Sequence, residues 1–402
     1  MKILHIQYSM TPAGNAAYRL HKAMLSKGID SNVLLLGGTF SKEGVNKFSV
    51  SRIYDIYRRI IYRISNYILL GQKKQGTYFF SSLPFKSLGI MKNKLVQQAD
   101  VIYLHWVAGG CLSAKDFESL SASGKIIVFF MHDMWNITGG CHHSLDCNQY
   151  MTGCNDCPMF HSKKLFVRSN IEKKIKYSNA DNIFFVSPSN WLGKCARQSI
   201  VSKQHKIYVI PNVIDQKIFR PIDKKEARNY FGLPLDKKII SFGCQSNSNP
   251  FKGWKYLKEA LNILDVENIH VVIYGGNFDK KTKDEIKYPV SFIGRIDNEE
   301  ELGLISNVAD VFVNPSLCEN YSSVLLEHIL CRVPVVAFDY TGNPDLVKTG
   351  ATGYLAKYKD SDDMAFGITK ILKGELIPTF DFEYSIDYII NSHLRMLSEI
   401  MS

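Results

Sequence analysis

Residues 311–339, VFVNPSLCENYSSVLLEHILCRVPVVAFD, contain the pattern that decides the fold of this chain. β-Branched and aromatic residues at 311–313 predict a buried strand, and the Asn-Pro-Ser sequence that follows ends it. An apolar-rich segment from Ser322 predicts a helix, and VPVVAF predicts the next strand. A strand, a helix and a second strand in succession are typical of an open α/β sheet.

Two glutamates in this stretch, Glu319 and Glu327, lie eight residues apart. Glu319 falls in the predicted strand-to-helix loop, and Glu327 falls about one turn into the helix. Such loops line the crevice where ligands bind in open sheets, and the first helical turn has unpaired N–H groups that suit a phosphate. Carboxylates on both sides of a phosphate site suit a sugar nucleotide, which has hydroxyl groups on both sides of its phosphates. A pair on a solvated helix face is the alternative interpretation.

The length of 402 residues favours two domains, and 46% hydrophobic residues are enough for two full cores. The sequence has no run of eighteen apolar residues, so we expect no membrane span. The start, MKILHIQYSM, predicts a first strand rather than a signal peptide, because His5 and Gln7 interrupt its apolar residues. The expected location is therefore the cytoplasm.

The net charge of +11 is unevenly distributed. Residues 1–200 contain 25 lysines and arginines against 11 acidic residues, a net charge of +14, whereas residues 201–402 contain 24 against 27, a net charge of −3. This asymmetry suggests that the first half faces an anionic partner, such as phospholipid, a lipid diphosphate or nucleic acid. Plain solubility is the alternative explanation.

Short hydrophobic segments alternate with helical patterns in both halves of the chain. KILHIQYS, DVIYLHW, KIIVFFMHD and IFFVSPS predict strands in the first half, and KIISFG, HVVIYGG, DVFVNPS and VPVVAFD predict strands in the second. This alternation favours an α/β fold made of two doubly wound parallel sheets. We place the boundary between the two domains near Ile207.

The donor-side motifs resemble those of family 4 retaining glycosyltransferases, which have the GT-B fold of two Rossmann-like domains facing a cleft. The matching positions are Glu319, Glu327, Cys331, Pro334 to Val336, and Gly342 with Asp345. The segment HKIYVIPNVIDQKIFRP is similar to the family's interdomain segment, with Val213 in place of the usual glycine. The resemblance covers almost the whole chain. It implies an acceptor-binding domain over 1–206, a nucleotide-sugar domain over 207–384, and a C-terminal helix over 385–402 that packs back on the first domain.

The resemblance also implies roles for individual residues. Glu319 would contact hydroxyl groups of the transferred sugar, and Glu327 would hold the ribose. Lys252, in NPFKGW, matches the family's phosphate-binding lysine. Many members have an arginine shortly before this motif, where the present chain has Gly243-Cys244-Gln245, so one phosphate cation is missing or comes from elsewhere.

Further donor-binding candidates come from the same resemblance. Arg295, in SFIGRID, matches a loop that contacts the base. Gly14 matches a glycine-containing loop near the diphosphate and acceptor, although a simple tight turn is an equal alternative. The backbone amides at the start of the predicted helix would stabilise charge on the leaving diphosphate; they belong to Asn320, Tyr321, Ser322 and Ser323.

The stretch HDMWNITGGC, residues 132–141, closely resembles a subgroup of exopolysaccharide and colanic-acid-type biosynthesis glycosyltransferases. His132 lies at a predicted strand end, where the family has a histidine that contacts the donor sugar. His105 and Trp106 match the subgroup at another strand end. An isolated strand-end histidine has a structural role more often than a functional one.

Four of the nine cysteines are clustered: Cys141, Cys147, Cys154 and Cys157. In a cytosolic chain disulfides are disfavoured, so a structural zinc site is the physical candidate. The spacing does not match a standard zinc ribbon, and His142, His143 and His161 are rival ligands. Reduced thiols without metal remain the alternative.

Residues 52–70 predict an amphipathic helix with Ile53, Tyr57, Ile60, Ile64 and Ile68 on one face and Arg52, Arg58, Arg59 and Arg63 on the other. Such a helix suits an anionic membrane surface. Packing of its apolar face against the protein's own sheet is the alternative.

The sequence therefore predicts a retaining, metal-independent hexosyltransferase that moves sugar from a nucleoside-diphosphate sugar to a glycan or lipid-diphosphate-linked acceptor in bacterial surface polysaccharide synthesis. The only DxD, at Asp360 to Asp362, lies far from the donor motifs, so we expect no catalytic metal or other required cofactor. The enzyme would be peripheral at the inner face of the cytoplasmic membrane. We expect no nucleic-acid partner, because no such binding module is present. Alternatives are a GT-B-fold sugar-nucleotide epimerase and a non-catalytic membrane-surface binding protein.

Overall fold

The computed structural model describes residues 1–10, 15–38, 42–70, 80–160, 164–244, 249–276, 278 and 281–402, with the side chains of 65, 66, 68–70 and 281 left out. These residues form two compact units. The N-terminal unit contains Met1–Met10, Asn15–Pro211 and Tyr388–Ser402, and the C-terminal unit contains Asn212–Asp387.

The N-terminal unit contains a parallel sheet in which the described strands have the order β3-β2-β1-β4-β5-β6-β7. The strands are β1 (Lys2–Gln7), β2 (Asp30–Leu35), β3 (Val45–Lys47), β4 (Val101–Leu104), β5 (Ile126–Phe130), β6 (Ile183–Ser187) and β7 (Ile207–Val209). The helices are α1 (Ala16–Ser26), α2 (Arg52–Leu70), α3 (Lys94–Gln98), α4 (Ala114–Ser121), α5 (Lys164–Ser178) and α6 (Asn190–Gln198).

The C-terminal unit repeats this architecture, with the strand order β10-β9-β8-β11-β12-β13. Its strands are β8 (Lys238–Gly243), β9 (Ile269–Tyr274), β10 (Val290–Gly294), β11 (Val311–Asn314), β12 (Val335–Phe338) and β13 (Gly353–Ala356). The helices are α7 (Lys224–Tyr230), α8 (Trp254–Ile263), α9 (Lys281–Asp284), α10 (Glu299–Ile305), α11 (Ser323–Leu330), α12 (Asn343–Leu346) and α13 (Ser361–Leu372). The last helix, α14 (Ile386–Met401), lies mostly in the N-terminal unit, where Tyr103 contacts His393.

The prediction of a strand, a loop and a helix around Glu319 is confirmed. All four residues of β11 are buried, as expected for a parallel strand covered on both faces. The loop ends at Ser322, whose side chain accepts a hydrogen bond from the Leu325 N–H and caps α11. The predicted α/β class with two parallel sheets is also confirmed.

Each sheet has one point at which the chain changes direction across the sheet. In the C-terminal unit the chain runs outward from β8 to β10 and returns to place β11 beside β8. In the N-terminal unit the corresponding neighbours are β1 and β4. In open α/β sheets, ligands bind at the carboxyl edge beside such a switch point.

Helix α2 contacts its own unit through Tyr54, Arg58 and Tyr62, and not through the apolar face defined by the sequence. The Tyr54 hydroxyl donates to the Ser87 carbonyl oxygen, the buried Arg58 donates to the Cys111 carbonyl oxygen at 3.2 Å, and the Tyr62 ring packs on Gly110. Arg58 was expected among the exposed arginines, and this is wrong. Its guanidinium instead lies against backbone carbonyls and forms an ion pair with Asp55 at 3.1 Å.

The apolar face of α2 is exposed, contrary to the alternative in which it packs on the sheet. Ile53 is 83% exposed, and the other exposed apolar side chains of this helix are Ile56, Tyr57, Ile60, Ile64 and Tyr67. The side chain of Ile68 lies outside the described residues. Across the described part of the chain, none of the helices combines the length and hydropathy needed to span a bilayer.

Candidate functional site

The switch point of the C-terminal sheet brings Lys252 and Glu319 together. Lys252 lies in a short 3-10 turn (Pro250–Lys252) after β8, and Glu319 lies in the loop after β11. The Lys252 Nζ is 2.7 Å from Glu319 Oε1, and the two side chains are 35% and 17% exposed. A lysine and a glutamate that are 67 residues apart in sequence therefore form one hydrogen-bonded ion pair at the carboxyl edge of the sheet.

Gly253 makes this approach possible. Its φ of +65° is in the left-handed region, and a Cβ atom at this position would lie 1.8 Å from the Pro315 carbonyl oxygen. The neighbouring Leu317 N–H donates to the Phe251 carbonyl oxygen at 2.7 Å, which joins the two loops through their backbones. The glycine that follows Lys252 is therefore required by packing as well as by conformation.

A third loop, after β12, holds the backbone of Glu319. The Glu319 N–H donates to Thr341 Oγ1 at 3.1 Å, and the Gly342 N–H donates to the Glu319 carbonyl oxygen at 2.9 Å. A Cβ atom at Gly342 would lie 1.5 Å from the Asn320 carbonyl oxygen. Sequence reasoning picked out Gly342 but missed Thr341, although the TGNPD sequence that contains both was the signal available.

The electrostatics of the pair keep a positive charge at the site. Burial alone would lower the pKa of Lys252, but the charge of Glu319 and the hydrogen bond to its carboxylate outweigh burial and raise the pKa above its ordinary value. Lys252 is therefore an ammonium ion at neutral pH. It is a point charge with three donors on a flexible stem, which is a common way to bind phosphate.

The predicted amide donors lie around the start of α11. Asn320 and Ser322 are buried, and Ser323 is the first residue of the helix. The carbonyl oxygen of Tyr321 accepts a hydrogen bond from Asn212 Nδ2 at 3.4 Å. The N-terminus of this eight-residue helix thus follows directly after the loop of Glu319, and its dipole favours an anion there.

Glu327 lies inside α11 and is 4% exposed. Two neighbours of Glu327 have raised pKa values. Burial is the main cause and the negative charge of Glu327 is the second; together they raise the pKa of Tyr274 well above its usual range and that of Cys331 to about 12. Tyr274 ends β9, the strand next to β8. Glu327 therefore lies inside the same unit, on the helix that follows the Glu319 loop.

Arg295 and Gly14 are the two remaining predicted donor-binding residues. Arg295 follows β10, an edge strand two positions from β8 in the described sheet, and its Nε donates to Asp297 at 2.7 Å while the side chain stays 59% exposed. Strands are about 4.8 Å apart, so two strands correspond to about 10 Å. The structure therefore does not bring Arg295 into the Lys252–Glu319 pair. Gly14 and Gln245 lie outside the described residues.

In the N-terminal unit, His132 is the end of a chain of three histidines. His5 Nδ1 lies 2.9 Å from His105 Nε2, and His105 Nδ1 lies 2.9 Å from His132 Nε2. Burial lowers the pKa of His132 to about 4 and those of His5 and His105 well below their usual value, so all three rings are neutral at pH 7. His5 was not recognised as part of this group, because it lies inside a strand about a hundred residues away.

Asp133 organises the loop that follows His132. Its Oδ2 lies 2.7 Å from His142 Nδ1 and accepts a hydrogen bond from Trp106 Nε1 at 3.1 Å, and its Oδ1 accepts from the Trp135 N–H at 2.8 Å. Burial would raise the pKa of Asp133, but His142 and these hydrogen bonds outweigh it and lower the pKa to about 2. Much of the HDMW…TGGC motif therefore builds a rigid loop around one carboxylate.

The two glycines of this motif also have packing roles. A Cβ atom at Gly139 would lie 2.5 Å from the Val167 side chain, and one at Gly140 would lie 2.5 Å from the Phe80 ring. The loop is therefore packed too closely for any side chain at either position.

The four clustered cysteines, the candidate zinc ligands, belong to the N-terminal unit. Cys154 and Cys157 are buried in the core of the N-terminal unit with Cys141 packed against it, and all four clustered cysteines, Cys147 included, are free thiols. Across the described ranges, no group of three or more His, Cys, Asp or Glu side chains is placed to hold a metal ion. Burial, and with it the neighbouring Cys147 and Cys157, raises the pKa of Cys154 to about 11. The rival ligand His161 lies outside the described residues.

The C-terminal unit is similar to a known protein family. Residues 223–384 match the family model "Glycosyl transferases group 1". The D-inositol 3-phosphate glycosyltransferase of Mycolicibacterium smegmatis is 28% identical over 215 residues, which cover 48% of this chain and 48% of that protein. The corresponding protein of Mycolicibacterium paratuberculosis is 27% identical over 232 residues, 51% of each chain. The chain thus spans about half the length of the curated relatives it matches.

Solved structures similar to this chain extend over its full length. HepE of Anabaena in complex with UDP and glucose is 18% identical, with a TM-score of 0.65 over 99% of this chain and 100% of that one. The sucrose-phosphate synthase of Thermosynechococcus elongatus is 16% identical, with a TM-score of 0.65 over 99% of each. The fold is therefore the GT-B fold, as expected from the sequence.

Proposed function

We propose that this chain is a retaining glycosyltransferase that moves a hexosyl group from a nucleoside-diphosphate sugar to a glycan or lipid-linked acceptor in bacterial surface polysaccharide synthesis. The observation that carries the proposal is the Lys252–Glu319 pair, at 2.7 Å, on the switch-point edge of the C-terminal sheet. It combines a phosphate cation with a carboxylate that accepts from sugar hydroxyls, beside the N-terminus of α11. HepE of Anabaena, which has a similar fold, is solved in complex with UDP and with UDP-glucose, which supports a nucleotide sugar as donor.

In the proposed reaction Lys252 and the amides of Asn320 to Ser323 stabilise the charge that develops on the leaving diphosphate. Glu319 holds hydroxyl groups of the transferred sugar, Glu327 the ribose, and His132 of the N-terminal unit contacts the sugar. We assign the base contact to Arg295 and a diphosphate contact to Gly14. The leaving phosphate oxygen takes the acceptor proton on the same face of the sugar, which gives retention without a dedicated base or a metal ion.

Donor hydrolysis by the purified protein across a panel of UDP- and GDP-sugars tests this proposal. A transferase should hydrolyse one donor slowly even without acceptor, and the anomeric configuration of the first product, followed by NMR, should be that of the donor. Interconversion of two sugar nucleotides would identify an epimerase instead. Binding of nucleoside diphosphate with no turnover of any donor would indicate a binding protein.

We further propose that α2 binds an anionic membrane surface, where a lipid-linked acceptor would be found. The apolar side chains that this helix exposes lie beside the exposed cations Arg52, Arg59 and Arg63, in a half of the chain with a net charge of +14. Tyr54, Arg58 and Tyr62 hold the helix on its own unit, so the exposed face remains available for lipid.

Flotation with vesicles tests the membrane proposal. The wild-type protein should bind vesicles of phosphatidylglycerol and phosphatidylcholine at low salt, and a triple Arg→Gln variant at 52, 59 and 63 should bind over a hundredfold more weakly, at roughly 1 kcal/mol for each cation. The matched control replaces three exposed lysines, Lys94, Lys176 and Lys203, by glutamine. Equal losses in the two variants would mean that only total charge matters, and no binding by the wild type would refute the proposal.

A further inference from the structure

The two hydrogen bonds of the three-histidine chain in the N-terminal unit must run in the same direction along the chain. Both contacts, His5 Nδ1 to His105 Nε2 and His105 Nδ1 to His132 Nε2, are 2.9 Å long. A neutral imidazole has one N–H, so one ring donates and the other accepts at each contact. Because His105 makes both contacts, the tautomer of one ring determines the tautomers of the other two.

The first ring decides between the two possible directions. His5 is fully buried, and its Nε2 has no hydrogen-bond partner among the residues that the structure describes. If that nitrogen carried the proton, the protein would bury an unpaired N–H, which is rarer in proteins than an unpaired acceptor. The proton of His5 therefore belongs on Nδ1, from which it is donated to His105 Nε2.

The rest of the chain follows from this step. His105 accepts at Nε2, so its own proton is on Nδ1 and is donated to His132 Nε2. His132 then accepts at Nε2 and carries its proton on Nδ1. The packed rings of His105, His132 and Phe130 hold this geometry, with centroids between 5.0 and 5.3 Å apart.

We infer that His5 and His105 are positioning residues that fix His132 as the Nδ1–H tautomer, so that His132 acts on a ligand as a hydrogen-bond donor and not as a base. The catalytic consequence rests on the proposed function, whereas the tautomer does not. A donor at this position would bind a hydroxyl or ring oxygen of the transferred sugar and would not compete with the leaving diphosphate for the acceptor proton.

Nitrogen NMR of protein labelled with ¹⁵N-histidine tests the inference at neutral pH. Pyrrole-type and pyridine-type nitrogens have distinct chemical shifts, and the signals of His132 are identified by their loss in the variant His132→Asn. We expect a pyrrole-type Nδ1 and a pyridine-type Nε2 for His132. The opposite assignment, or averaged shifts for the two nitrogens, would overturn the inference without any activity measurement.

The variant His105→Phe keeps the stacked ring but removes both hydrogen bonds. We expect His132 to lose its fixed tautomer and kcat to fall roughly two- to tenfold, the effect of one neutral hydrogen bond, with an unchanged KM for the donor. The control is His205→Phe, a half-buried histidine of the same unit that contacts the Phe185 ring and none of the three histidines, and it should alter neither readout. A lower kcat with an unchanged His132 tautomer would reduce His105 to a structural role.

One outcome separates this inference from the proposed function. If no donor is turned over but His132 is the Nδ1–H tautomer, the proposed function fails and the relay stands. If His105→Phe does not fold, His5→Phe tests the same relay one step further from His132, and the wild-type spectrum alone still decides the tautomer.

Discussion

Replacement of Glu319 by alanine should separate the two roles of the Lys252–Glu319 pair. The carboxylate binds the lysine at 2.7 Å in this structure, and in the proposed reaction it also accepts from hydroxyl groups of the sugar. The variant therefore removes a sugar contact and at the same time releases a phosphate-binding cation. Loss of the sugar contact should lower kcat/KM, whereas release of the cation should preserve or raise the affinity for the nucleoside diphosphate.

The magnitude of the sugar effect follows from the type of bond. A hydrogen bond to an ionised group contributes roughly 1.5–3 kcal/mol, so kcat/KM should fall roughly ten- to 150-fold. The affinity for the free nucleoside diphosphate should stay equal or increase, because Lys252 no longer has a competing carboxylate. The pair is partly exposed, so the loss of folding stability should be about 1 kcal/mol or less.

The assay combines steady-state kinetics, calorimetric titration with the nucleoside diphosphate and thermal unfolding. Glu285→Ala is the matched control, because it removes another ion pair on the surface of the same unit, in which Lys258 Nζ lies 3.2 Å from Glu285 Oε2. We expect the control to have wild-type kinetics and a similar change in the unfolding midpoint. A folded Glu319→Ala protein with wild-type kcat/KM would refute the assignment of Glu319 to the sugar.

Three further predictions concern the same unit. Glu327→Ala should weaken binding of the nucleoside diphosphate in calorimetric titration by about 1.5–3 kcal/mol, and unchanged affinity would exclude a ribose contact. Transfer should persist in EDTA, and loss of activity that Mg²⁺ restores would contradict a mechanism based on Lys252 and helix amides. Gly253→Ala should lower the free energy of chemical unfolding by more than the control Gly232→Ala, for which we expect a loss of roughly 1 kcal/mol. Both glycines have a positive φ, but only a Cβ atom at Gly253 would clash with a carbonyl oxygen, so equal losses would contradict this packing argument.

The local pattern around Glu319 was sufficient to predict β11, its loop and α11. Strand and helix signals here are short-range: β-branched residues, then Asn-Pro-Ser, then a serine cap. The switch point was not visible in the same way, because it depends on which strands become neighbours. The sequence therefore predicted that Lys252 and Glu319 follow separate strands, and the resemblance to a family, not periodicity, placed them in one site.

Long-range partners account for what the sequence missed. Arg58 has the helical spacing of an exposed cation, yet backbone carbonyls of Gly110 and Cys111 accept its hydrogen bonds. No local pattern encodes such a partner, since carbonyl groups occur at every residue. The same holds for His5, whose position in the middle of β1 is typical of a core side chain.

The close backbone contacts explain why the donor motifs contain glycine at fixed places. Lys252 reaches Glu319 because Gly253 lets the turn after β8 contact the carbonyl oxygen of Pro315, and Glu319 is held because Gly342 lets the loop after β12 contact Asn320. Three loops from three strands thus meet through backbone atoms, and the side chains of Lys252 and Glu319 form their ion pair beside these contacts. Any larger residue at either glycine would separate the loops, and the ion pair would open with them. The positions of the two glycines are therefore a packing requirement of the three loops, and the Lys252–Glu319 ion pair depends on that packing.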